Sequence, residues 1–80
     1  MDKLKICNEE LDKAIEYVRN NQYKEQRNDS QTYTYYKATL RSIRGDIKRA
    51  NRYMYEEIDE LSKSDIKNLL GKIIEIENNI

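Results

Sequence analysis

A single register of apolar residues constrains this chain more than any other feature. Tyr33, Tyr36, Leu40, Ile43, Ile47, Ala50, Met54, Ile58 and Leu61 recur at intervals of three or four residues. That spacing puts every member on one side of an α-helix, whereas a strand would scatter them over both faces. The register runs for about four heptads without a break, and the chain contains no proline to interrupt it. One continuous helix over about 31–61 is therefore predicted, ~45 Å long at 1.5 Å per residue, with Asp29 or Ser30 as its N-cap. Gly45 falls inside it, where glycine costs about 1 kcal/mol relative to alanine, so it marks a close helix contact or a bend.

Two shorter segments carry the same periodicity. In residues 2–22, Leu4, Cys7, Leu11, Ala14 and Val18 alternate spacings of three and four, and Ile15 widens the stripe. This is an amphipathic helix with one buried face. Asp2 or Asn8 can cap it; if Asn8 does, Glu9 and Glu10 suit the positive helix end. Residues 20–31 hold one apolar residue, Tyr23, among Asn, Asp, Ser and Gln, and read as a loop. A second break is expected at 61–65, where Ser64, or Ser62 with Asp65 three residues on, is the N-cap. Beyond it Ile66, Leu69, Leu70, Ile73, Ile74, Ile76 and Ile80 form a face broad enough to be either core or self-association surface. The fold class is all-α: a three-helix bundle or helical hairpin with a long central helix, one domain over 1–80, with dimerisation expected.

The expectation of a dimer rests on size. Leu, Ile, Val and Phe number 6, 10, 1 and 0 among 80 residues, so the core is small. A chain this short buries only about 60–65% of its unfolded surface, and association is a common support. The same composition removes whole functional classes. Cys7 is the only cysteine and His is absent, which excludes an internal disulfide and makes a zinc site implausible. No Gly-rich phosphate loop and no calcium-loop pattern occur, so no cofactor or metal is expected. Aliphatic runs such as Leu69–Leu70 and Ile73–Ile74 stop at two residues, far short of a membrane span. The opening MDKLKICNEELDK lacks a signal-peptide apolar core, and a cytoplasmic setting is expected. Heavy use of Lys, Ile, Asn, Glu and Tyr fits an AT-rich genome, such as those of low-GC bacteria and their phages and plasmids.

Charge is neutral only on average. The formal net charge is 0, yet residues 31–55 carry +5 and residues 56–80 carry −4. Lys37, Arg41, Arg44, Lys48 and Arg52 follow spacings of four, three, four and four, and so line up along one side of the second helix beside its apolar seam. Arg49 lies next to this row, and Tyr35 and Tyr55 extend it at either end. Such a row suits phosphate or an acidic protein surface. It equally suits a solvated face paired within the chain to Glu56, Glu57, Asp59, Glu60, Glu75 or Glu77.

All 7 aromatic residues are tyrosines. Tyr33 and Tyr36 fit the seam of the second helix, while Tyr17, Tyr35, Tyr53 and Tyr55 fall off their seams. Tyrosine and arginine are enriched at interface centres, so Lys37, Arg41, Arg44, Lys48, Arg52, Tyr53 and Tyr55 are the candidate partner-binding residues. Cys7, on the apolar face of the first helix, reads as a small hydrophobe. Paired acids such as Glu56–Glu57 and Asp59–Glu60 have no third group or cleft to make a catalytic set, so no enzyme is expected. The expected function is stoichiometric binding: a small regulator or inhibitor, of phage or mobile-element type, acting on a nucleic-acid-handling or defence protein. Direct nucleic-acid binding through the row is the second reading, disfavoured by the acidic final third. A structural helical oligomer is the third.

Overall fold

The structure, a computed structural model, describes residues 2–21 and 30–80, with side chains in the second stretch from Thr34 onward. It is an all-α three-helix bundle of α1 (Lys3–Asn21), α2 (Ser30–Glu56) and α3 (Lys63–Asn78). Among the described residues there is no strand. Most of the loop expected at 20–31, including Tyr23, lies outside the described residues, as do Asp29 and the side chains of Ser30 and Tyr33; Asn20 and Asn21 belong to α1.

Local chemistry sets the helix ends. Asp2 caps α1, its Oδ1 accepting from the backbone N–H of Leu4 at 3.1 Å and of Lys5 at 3.3 Å. Two orphan donors are thereby satisfied and a negative charge sits at the positive helix end. Asn8 lies within the helix, donating to the Leu4 carbonyl, so Glu9 and Glu10 are not first-turn acids. At the far end Asn21 Nδ2 donates to the Tyr17 carbonyl at 2.7 Å. The N-cap of α3 is Ser62 and not Ser64: Ser62 Oγ accepts from the Asp65 N–H at 3.0 Å. Leu61 and Ile66 flank that cap at the positions of a hydrophobic staple, and both pack against the core.

The long helix ends earlier than its periodicity predicts. α2 stops at Glu56, and residues 57–60 form turns. Ile58, expected on the seam, is 54% exposed. Glu56, Glu57, Asp59 and Glu60 crowd four acids onto the negative end of the helix with no basic residue in its last turn, which opposes further extension. Leu61 still reaches the core, but through the turn.

α1 is the central element. It packs extensively on both other helices, whereas α2 and α3 touch each other much less. α1 and α3 run parallel: Asn8 Oδ1 accepts from Asn68 and Lys72, Asp12 meets Lys72, and Arg19 meets Glu75. α2 runs antiparallel to α1, pairing Tyr36 with Tyr17 near one end and Arg49 with Glu10 near the other. The core joins Leu11, Ala14, Ile15 and Val18 of α1, Ile43, Ile47, Ala50 and Met54 of α2, and Leu69, Ile73 and Ile76 of α3. Full burial of a Leu, Ile or Val side chain contributes about 1.5–3 kcal/mol. From Tyr36 to Met54 the α2 seam is thus taken up by packing within the chain. The α3 aliphatics divide: Leu69, Ile73 and Ile76 are buried, whereas Leu70, Ile74 and Ile80 are exposed.

Candidate protein-binding surface

Helix rotation of about 100° per residue separates the candidate residues into two groups. Lys37, Arg41, Arg44, Lys48 and Arg52 all fall on one flank of α2, and all are exposed. Tyr55, seven residues after Lys48, continues that line and is 83% exposed. Tyr53 does not join them. It is half-buried on the opposite flank, facing the start of α1, where burial and then the charges of Glu57, Cys7, Asp2 and Asp65 push its phenol above the ordinary range. Arg49 shares that flank and is held there by Asp46 and, at 3.9 Å, by Glu10. Tyr35, exposed near the start of α2, also falls with this second group by rotation.

Ion pairing is sparse along the first group. Arg52 meets Glu56 at 3.6 Å. Arg41, Arg44 and Lys48 form no ion pair among the described residues, and Glu75 is occupied by Arg19 on the far side of the bundle. The acidic third of the sequence therefore leaves the centre of the row unpaired. Glu77 comes nearest, lining one groove with Arg44 and Lys48, but it forms an ion pair with neither.

Beside these cations runs a groove that periodicity alone does not reveal. Because α2 and α3 meet only lightly, a space of about 360 Å³ opens between them, lined by Arg44, Ile47, Lys48, Glu77 and Ile80. Its floor is aliphatic and its rim carries two unpaired cations. Ile47 was visible as a seam residue and Ile80 as the end of a broad face; their convergence with Arg44 and Lys48 depends on how the helices cross.

Two other features are accounted for by the bundle itself. A larger hollow of about 740 Å³ between α1 and α3 is lined by Asp12, Arg19, Lys67, Lys72 and Glu75 among others, but its Lys72–Asp12 and Arg19–Glu75 pairs neutralise one another. Cys7 is half-buried against the core; burial raises its thiol pKa, Glu10 adds to the effect and Arg49 opposes it. The thiol packs there as a small hydrophobe. Among the described residues, no cluster of His, Cys, Asp and Glu is arranged to hold a metal ion, and no helix is long and apolar enough to cross a membrane. Comparison of the chain with family models, with curated proteins and with solved structures finds no match.

Proposed function

We propose that this protein acts by stoichiometric binding, as a small regulator or inhibitor, and that it grips an acidic protein surface with the row Arg41, Arg44 and Lys48. The observation that carries this reading is the absence, among the described residues, of ion partners for these three cations, two of which line an apolar groove. Exposed cations already paired within the chain would have to give up those pairs on binding; unpaired ones meet an acidic partner without that cost. The Ile47–Ile80 floor supplies what a row of charges lacks, a surface whose burial excludes water around the charged contacts. Tyr55 adds a large aromatic at the end of the row. Phosphate backbone binding, the second reading, is favoured by the in-line spacing but makes no use of an aliphatic groove bearing Glu77.

Affinity capture from lysate with the tagged wild-type chain and with the Arg41→Gln/Arg44→Gln/Lys48→Gln variant tests the reading. A near-stoichiometric protein held by the wild type, released by raising salt to ~0.5 M and not held by the variant, supports it. Equal capture by both chains rejects the row as the binding surface. If instead the wild type binds duplex DNA at ~50 mM salt, with a log–log salt slope of about −0.9 per phosphate that the variant flattens, the row is a phosphate-binding surface.

A further inference from the structure

We infer that the outward face of α3 is the contact surface of a twofold homodimer in which two copies of α3 pack antiparallel. Leu70 and Ile74, one turn apart on the same flank, are 43% and 56% exposed. Beside them Gly71 presents bare backbone, and a Cβ built there would meet nothing within 4 Å. A mid-helix glycine costs about 1 kcal/mol, and no neighbour among the described residues needs the space it leaves. A helix laid across that point approaches closely.

The order of residues along the face selects a second copy as the occupant. Lys67 lies one turn before Leu70, and Glu77 lies one turn after Ile74. Both are exposed, and neither forms an ion pair among the described residues. Turning α3 end for end about residue 72 sets Leu70 against the second copy's Ile74, and Lys67 against the second copy's Glu77. The twofold axis then makes each of these contacts twice, as a self-complementary interface requires. A parallel arrangement would oppose Lys67 to Lys67 and Glu77 to Glu77, which repel. Antiparallel packing also sets the two helix dipoles favourably. The basic row on α2 is a different surface, and of the dimer contacts only Glu77 also lines the groove beside Arg44 and Lys48.

Only about three turns of helix engage, at the small end of specific interfaces, so dissociation in the ~10–100 µM range is expected. Sedimentation equilibrium across concentrations bracketing that range tests it on the full chain. The wild-type mass is expected to rise from 9.7 kDa towards twice that value. Ile74→Glu should weaken association at least ~10-fold, with the melting temperature unchanged at concentrations where the wild type is monomeric, because the site is solvent-exposed in the monomer. Lys67→Glu alone should also weaken it, and Lys67→Glu/Glu77→Lys should restore it. A wild type that stays at the monomer mass throughout, or an Ile74→Glu chain that dimerises as well as the wild type, overturns the proposal. Failure of the double exchange to restore association overturns the antiparallel register. If Ile74→Glu removes a captured foreign protein from a chain that never dimerises, the face belongs to that protein. The Arg41, Arg44 and Lys48 variant should dimerise as the wild type does, so the two readings fail separately.

Discussion

Lys72 of α3 lies with its ammonium 2.9 Å from Asp12 Oδ1 of α1, and the same Nζ donates to Asn8 Oδ1 at 2.8 Å. One side chain thus ties two successive turns of α1 to α3 and fixes the parallel register of the pair. Its own side chain is only 19% exposed, whereas that of Asp12 is 59% exposed, so the Coulomb part is well screened. Lys72→Met is expected to cost about 1 kcal/mol, and a double-mutant cycle with Asn8→Ala to give a coupling of about 0.5–1 kcal/mol. Urea melts of the four proteins measure both. A coupling near zero means the register is set by Leu69, Ile73 and Ile76 alone.

Emptying core positions should separate from emptying positions that share their periodicity. Ile43→Ala and Ile73→Ala remove buried aliphatics and should each cost about 2–5 kcal/mol. Ile58→Ser, on the same apparent register as Ile43, should stay within about ±0.5 kcal/mol because the side chain is largely in water. Circular-dichroism melts decide between these. A large loss from Ile58→Ser would return that residue to the seam.

The two glycines offer stabilisation. At Gly45 an added Cβ meets only the flexible end of Arg49, Nη1 at 3.4 Å, and at Gly71 it meets nothing within 4 Å. Both sit inside helices, where alanine is favoured by about 1 kcal/mol. Gly45→Ala should therefore raise the melting temperature, and Gly71→Ala should do so at concentrations where the chain is monomeric. A drop at Gly45 would mean that Arg49 cannot move aside from its Asp46 and Glu10 partners.

Alkaline pH should weaken the fold through Cys7 and Tyr53. Burial, then Glu10, raise the Cys7 thiol above its ordinary value of 9.0, against the opposing effect of Arg49. A group whose folded pKa lies above the unfolded one contributes fully below the unfolded value, and that contribution is lost as pH rises through the folded value. Tyr53 acts in the same sense above its ordinary 10.0. Stability is expected to decline as pH climbs past about 9, and Cys7→Ala should flatten the first part of the decline. Thiol titration with a disulfide reagent at pH 8 should be slower in the folded chain than in urea. Equal rates would show the thiol to be open to solvent.

The cation row was legible because charge spacing on a helix needs no tertiary information: Lys37, Arg41, Arg44, Lys48 and Arg52 share a flank wherever the helix packs. Tyr53 shows the limit of that reasoning. Adjacent in sequence to Arg52, it turns by about 100° onto the other flank, and only the position of α1 makes that flank half-buried. The groove floor of Ile47 and Ile80 could not be read at all, since its two halves are 33 residues apart in the chain.

What the sequence determined by itself is the helical class, the three segments and most of their buried faces, because periodicity and capping are local properties that a few consecutive residues already fix. Ser62 and Asp65 write the start of α3, and Leu11, Ala14, Ile15 and Val18 write the inward face of α1. Only the tertiary structure decided which α3 aliphatics are covered and which cations find partners. Each of these depends on the distance between residues far apart in the chain. Ile58 and Ile47 carry the same pattern, and their burial differs because α2 stops at Glu56, leaving Ile58 in the turn while Ile47 packs inside the bundle.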